Sequence, residues 1–128
     1  MKLTIVKLET LTAQDLLDLA KIWPQQSVNS WQNWLSETQM IFAARFNDRL
    51  LAAVKVSVVD AQATLTDLCV REVTRRRGVG LYLVQDLQRL LPEVTGFSMH
   101  RNDEDAVLDA FMSACGFTLE GNDWCKEA

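Results

Sequence analysis

Apolar and polar positions alternate from Thr4 to Leu8, where Leu3, Ile5 and Val6 supply the apolar surface, and the alternation predicts a first strand. The spacing then becomes helical. Leu16, Leu19, Ala20 and Trp23 share one face of a helix that opens at a capping-box pattern, Thr12-Ala-Gln-Asp15, and stops before Pro24. Residues 25–38 are polar around Trp31 and Trp34 and predict a short helix capped by Ser30. Gln39–Phe46 is a strand by its Met40, Ile41, Phe42 and Phe46, and Leu50–Val59 is a long β-rich run. Asn47-Asp48-Arg49 between them has turn chemistry, so the pair is a hairpin. Asp60-Ala-Gln-Ala is a second turn. It leads to a strand in which Leu65, Leu68 and Val70 keep one face only if a bulge shifts the alternation.

From Val79 the period is helical again, with Val79, Leu83, Leu87 and Leu90 on one stripe, Val84 and Leu91 beside it, and Pro92 closing the helix. Val94–Met99 is a further strand. Asp103–Cys115 is a helix with Ala106, Val107, Ala110, Phe111 and Ala114 on its apolar side, ended by Gly116. Phe117–Leu119 and Trp124–Lys126 are two short closing strands around Gly121-Asn-Asp. The order is therefore β-α-α-β-β-β-α-β-α-β-(β) in one domain, residues 1–128. Short turns make the early strands antiparallel, whereas the two strands flanking the central helix need a crossover and are parallel. The expected fold class is α/β (α+β), a mixed central sheet with helices on both faces.

Composition narrows the function. No apolar run approaches the roughly 20 residues of a membrane helix, and Met1-Lys-Leu-Thr-Ile-Val-Lys7 lacks the apolar block of a cleavable signal. Cys69, Cys115 and Cys125 are odd in number and show no metal-ligand spacing, which points to a reducing, cytoplasmic setting and no metal. The net charge of −4 argues against nucleic acid. Positive charge is concentrated at Arg71 and Arg75–Arg77, a local cluster suited to a small polyanion or an acidic patch on a partner.

That cluster fronts Arg75-Arg-Arg-Gly-Val-Gly80, which enters the central helix. A glycine-bearing turn feeding a helix aims unpaired N–H groups at one spot, and the helix dipole adds partial positive charge. The expected ligand is a phosphate. Thr74 adds a hydroxyl that either meets a phosphate or stabilises the turn.

Arg75, Gly78 and Gly80 in this position resemble the R/Q-x-x-G-x-G/A motif of the GNAT superfamily of N-acetyltransferases, and Ala114-Cys-Gly-Phe117 resembles its helix-to-strand junction. Over nearly the whole chain the sequence is similar to the PanD maturation and regulatory factor family, PanZ or PanM. The similarity is carried by Lys2-Leu-Thr-Ile5, Lys21-Ile-Trp-Pro24, Ala43-Ala-Arg-Phe-Asn47, Arg49-Leu-Leu-Ala-Ala-Val54, Val70–Gly80, Ala110-Phe-Met112 and Gly116-Phe-Thr118. Pro24–Gln39 and the C-terminal tail match less well.

The resemblance implies that coenzyme A (CoA) or acetyl-CoA is held with its pyrophosphate on the turn, by Thr74, Arg75, Arg76, Arg77, Gly78, Val79, Gly80 and Leu81, and its pantetheine beside Leu68, Cys69 and Val70. Arg75 and Arg77 are the candidates for phosphate contact. The implied partner is aspartate 1-decarboxylase (PanD), as proenzyme and mature enzyme, with Arg45, Phe46, Asn47 and Arg76 as the candidate contacts. Members of the family promote the proenzyme's self-cleavage and can inhibit the mature enzyme when CoA is abundant. For Arg45–Asn47 the plainer reading is an ordinary hairpin end, tested by Asn47→Ala against partner and CoA affinity.

Transfer chemistry is less well supported. The position where active superfamily members place an acidic tyrosine is Met112, which has no proton to give, and Tyr82 lies elsewhere. His100 and Glu72 are possible bases, each more simply read as a surface polar residue or a salt-bridge partner. No catalytic residue is therefore expected. The alternative is an N-acetyltransferase acting on a small amine or a protein lysine, for which Met112→Tyr should raise turnover.

Overall fold

The computed structural model describes residues 3–8, 10–36, 38–47, 49–70, 79–100 and 106–127, with side chains in the last stretch from residue 109. The strands are β1 (Thr4–Leu8), β2 (Gln39–Phe46), β3 (Arg49–Val59), β4 (Gln62–Val70), β5 (Gly96–His100), β6 (Thr118–Glu120) and β7 (Asp123–Glu127). The helices are α1 (Ala13–Ile22), α2 (Val28–Trp34), α3 (Val79–Leu90) and α4 (Ala106–Ala114). All seven strands form one sheet in the order β1-β2-β3-β4-β5-β7-β6. Only β4 and β5, the strands flanking α3, pair in parallel. The mixed α/β sheet expected from the pattern is the observed one.

Both faces are covered, which is why β2 and β3 read as continuous apolar runs. On one face Phe42, Val54 and Val56 meet Leu83 and Leu87 of α3 and Met112 of α4. On the other, Ile41, Ala43 and Ala53 meet Leu19 and Ile22 of α1 and Trp31 of α2. No helix among the described residues is long and apolar enough to cross a membrane.

The bulge in β4 is present. Ala53 pairs with Cys69 and Lys55 with Thr66, so Val54 alone faces Asp67 and Leu68. Asp67 takes the left-handed conformation there, with φ of 55°. The extra residue keeps Leu65, Leu68 and Val70 on the α3 face and turns Cys69 toward α1. Beyond Leu65, which pairs with Met99, the β4–β5 ladder stops among the described residues, while β4 continues to Val70.

Thr12 and Asp15 form the expected capping box on α1, with Asp15 N–H donating to Thr12 Oγ1 at 3.1 Å and Thr12 N–H to Asp15 Oδ2 at 3.2 Å. Three local expectations are corrected. The cap of α2 is Ser27, not Ser30; Ser30 N–H donates to Ser27 Oγ at 3.3 Å from inside the first turn, which lets Trp31 reach the core. The buried stripe of α1 is Asp15, Asp18, Leu19 and Ile22, and Ala20 faces solvent. On α4, Met112 and Cys115 are buried while Ala110 and Ala114 are exposed. Small alanines carry little apolar area, so the larger side chains set that helix's rotation. Gly116, at φ of 91°, closes α4 with a paired hydrogen-bond pattern: its N–H reaches Ser113 O and the Phe117 N–H reaches Met112 O, each at 3.0 Å.

The β3–β4 turn is closed by the pair Val59–Gln62, and its two central residues, Asp60 and Ala61, have φ of 50° and 63°. This is the turn type whose twist matches a hairpin, but alanine has a Cβ penalty there. Ala61→Gly is expected to stabilise the protein by about 0.5–1 kcal/mol, the relief of that penalty less the added freedom of glycine in the unfolded chain. Urea unfolding midpoints would measure it; an unchanged or lower midpoint contradicts it.

Candidate functional site

The predicted anion turn joins β4 to α3. Arg71, Glu72, Thr74, Arg75, Arg76, Arg77 and Gly78 lie outside the described residues, so the site is built here from its two flanks. On the helix side Val79 is buried and Leu81 half-buried, both packed into the core under the sheet, so any ligand contact they make uses backbone. Gly80 is also buried. A Cβ on it would lie 3.0 Å from Val70 Cγ2 and 3.1 Å from Phe111 Cε1. Its missing side chain thus lets α3 approach the end of β4 and α4, a packing role the sequence reading did not assign.

On the strand side Asp67, Leu68, Cys69 and Val70 of β4 line a cavity of about 490 Å³ together with Trp23 and Gln26.

Several of the cavity's polar groups are engaged. Asp67 Oδ2 accepts from Lys55 Nζ at 3.2 Å and from Gln26 Nε2 at 3.0 Å, and Asp67 O accepts from Trp23 Nε1 at 2.8 Å. Lys55 is buried between two indoles, 5.3 Å from the Trp23 ring centre and 5.6 Å from that of Trp34. Trp31 Nε1 in turn donates to Gln26 Oε1 at 2.9 Å. The Cys69 thiol donates to the Ile22 carbonyl at 3.1 Å. Trp23 and Trp31 are therefore core residues, as is Trp124 on the other face. Asp67, Lys55 and Gln26 were missed from sequence. The available signal was a lone lysine inside the apolar run Leu50–Val59 and an aspartate interrupting Leu65–Val70.

Met112, Tyr82 and His100 are not among the described residues that line this cavity. Met112 is 0% exposed in the core, so Met112→Tyr would have to overpack it, at about 1–3 kcal/mol, and is a poor test of transferase chemistry. Tyr82 points outward from the first turn of α3, 42% exposed. His100 is paired across β5 and β7 with Asp123, Nδ1 to Oδ1 at 2.9 Å, and both side chains are exposed. Cys115 is buried beneath Gly116, and that burial pushes its thiol up to about 11, partly offset by the Lys126 charge, which leaves it inert. Among the described residues no three of His, Cys, Asp and Glu gather as metal ligands.

The candidate partner residues Arg45, Phe46 and Asn47 do sit together, at the β2–β3 hairpin end. The last described residue of β4, Val70, pairs with Ala52 of β3, a few residues from that hairpin end. Arg45 is bonded to Asp15 Oδ1 at 3.3 Å, Phe46 packs partly against the core, and Asn47 is exposed with φ of 49°. The next ion pair is tighter: Arg49 Nε and the Leu50 N–H donate to Asp18 at 2.9 and 3.0 Å. Asp18 is 0% exposed. Burial pushes its pKa up, but the bonds from Leu50, Arg49 and Gln14, with the Arg49 charge, outweigh burial and hold it below the ordinary carboxylate value.

Comparison with known proteins agrees with this architecture. The PanD regulatory factor of Salmonella typhimurium is 48% identical over 128 residues, covering 98% of this chain and 99% of that protein. Its counterpart in Escherichia coli is 47% identical with the same coverage. The solution structure of YhhK from E. coli, bound to coenzyme A, superposes with a TM-score of 0.89 at 48% identity, each chain covered in full. The ribosomal-protein-S18-alanine N-acetyltransferase of E. coli shares the fold, with a TM-score of 0.83 at 19% identity, covering 98% of this chain and 94% of that one. The sequence profile described as an acetyltransferase (GNAT) domain, PanZ, matches residues 2–125, and the chain belongs to the PanZ family.

Proposed function

We propose that this chain is a CoA-dependent regulator of aspartate 1-decarboxylase (PanD). It binds CoA or acetyl-CoA across the β4–α3 turn, then docks on the proenzyme through the β2–β3 hairpin and promotes self-cleavage to the pyruvoyl form. With CoA abundant, the same complex restrains the mature enzyme and so feeds back on pantothenate supply. What supports this reading is that the chain is 48% identical to a PanD regulatory factor and that β4 ends, at Val70, beside Ala52 of β3, a few residues from the β2–β3 hairpin end that carries the exposed Asn47.

The chemistry assigned to the bound thioester is recognition. Asp67, the one carboxylate among the described residues lining the cavity beside β4, already accepts hydrogen bonds from Lys55 and Gln26, and the expected position of a proton donor is Met112. Activation of the proenzyme then comes from holding its backbone in a reactive geometry. Arg75, Arg77 and the amides around Gly78 are assigned to the phosphates, Leu68, Cys69 and Val70 to the pantetheine, and Arg45, Phe46, Asn47 and Arg76 to the partner.

The deciding experiment mixes purified protein with unprocessed decarboxylase, with and without CoA, and follows chain cleavage on a gel. CoA-dependent acceleration supports the reading. Absence of acceleration, with rapid acetyl-CoA consumption on an amine panel, favours the acetyltransferase alternative instead. The hairpin assignment has its own test. Because Asn47 is left-handed, Asn47→Ala would strain the turn, and Asn47→Gly is the cleaner substitution. It is expected to weaken partner binding about 5- to 30-fold, the loss of one well-made polar contact, with CoA affinity unchanged by calorimetry. Equal partner affinity would remove Asn47 from the interface.

A further inference from the structure

Helix α1 is tied at one end to the strand assigned to the cofactor and along its first half to the hairpin assigned to the partner. At its C-terminus the Cys69 thiol donates to the Ile22 carbonyl at 3.1 Å, and Trp23 Nε1 donates to the Asp67 carbonyl at 2.8 Å. The first bond uses a carbonyl that a helix end leaves without an internal partner. Earlier in the helix, Asp15 holds Arg45 at 3.3 Å, and Asp18 holds Arg49 at 2.9 Å and the Leu50 N–H at 3.0 Å. The helix is 10 residues long. That is about 15 Å, too short to absorb displacement by curving.

From these ties we infer that α1 is the rigid element that couples cofactor binding to partner binding, with Trp23 and Asp15 as the positioning residues at its two attachments. The inference rests on the CoA and decarboxylase assignments above. Asp67 sits at a left-handed φ of 55° in the bulge, a strained conformation of the sort found in switch regions. Its carboxylate is fixed by Lys55 at 3.2 Å and Gln26 at 3.0 Å, so its side chain is not free to absorb a change in the backbone. A chain seated against Leu68–Val70 shifts or stiffens this bulge. Ile22 and Trp23 follow it, α1 moves as a unit, and Asp15 and Asp18 carry Arg45 and the start of β3 with them. The coupling is reciprocal, so the partner tightens CoA by the factor with which CoA tightens the partner.

The test is the coupling ratio, the partner dissociation constant without CoA divided by that with CoA, measured by calorimetry with whole chains and decarboxylase. Trp23→Phe keeps an aromatic side chain but deletes the N–H together with the indole's five-membered ring; Asp15→Asn keeps the cap acceptor and removes the charge facing Arg45. Each is expected to lower the ratio about three- to tenfold, within the range found for residues on a coupling route. The double variant should lower it no further than the stronger single one, because the two attachments act in series. Parallel loss of partner affinity with and without CoA leaves the ratio unchanged and overturns the inference, as does independent addition in the double variant. A wild-type ratio of one overturns the CoA-dependent reading itself and the inference with it, a result distinct from a coupled wild type with coupled variants. Should Asp15→Asn unfold, Trp23→Phe alone still decides, since its ratio either falls or does not.

Discussion

Asp18→Ala is expected to destabilise the fold by about 2–4 kcal/mol, the larger part from the Leu50 N–H left buried without an acceptor. The Asp18 carboxylate, 0% exposed, accepts from that N–H at 3.0 Å, from Arg49 Nε at 2.9 Å and from Gln14 Nε2 at 3.0 Å. A buried charge stripped of its partner commonly costs about 3–5 kcal/mol, but the Arg49 side chain is 42% exposed and can turn to water, which sets the lower range. The same group gives a pH dependence of known sign. Its folded value lies below the ordinary 3.8. Its contribution is therefore fully present above that value and is lost as pH falls through the folded one. Urea unfolding of wild type and Asp18→Ala at pH 7 and near pH 2 would check both claims. The gap between them should narrow in acid; a constant gap would show that the carboxylate's charge does not matter.

Arg75→Ala with Arg77→Ala is expected to weaken CoA binding at least about 100-fold. Each arginine proposed to meet a phosphate makes a charge-assisted hydrogen bond, worth about 1.5–3 kcal/mol when removed alone, and two such losses reach that factor. Pantetheine, which has the arm and no nucleotide phosphate, should bind wild type and double variant alike. Calorimetry with both ligands separates the cases. If pantetheine loses as much as CoA, the arginines shape the protein and do not grip phosphate. The CoA affinity of wild type should also fall as salt rises, more steeply than that of the double variant.

Local chemistry made most of the framework legible before any coordinates. The limits of β1 and β2 follow from alternation and from turn residues, and the capping box at Thr12 and the glycine stop at Gly116 are short-range hydrogen-bond patterns. The β4 bulge was legible because Leu65, Leu68 and Val70 share a face only with one residue inserted. What failed was decided at longer range. Two serines three residues apart offer equivalent caps, and burial of Trp31 selects Ser27. The burial of Asp15 and Asp18 was not legible because their partners, Arg45 and Arg49, come from a hairpin about 30 residues later in the chain. At the site, the glycine and arginine signature of the turn is written in adjacent residues. The Asp67–Lys55–Gln26–Trp23 network is not, since its contacts join residues 12 to 44 apart.

Three indole rings surround that network. Trp23, Trp31 and Trp34 lie on the α1 side of the sheet, with the Lys55 ammonium beside Trp23 and Trp34. An ammonium and a neighbouring amide or thiol are efficient quenchers of indole emission. Three of the chain's four tryptophans thus sit where their emission would respond to the spacing between α1, α2 and β4, an unlabelled optical gauge of the very strand against which the cofactor is proposed to lie.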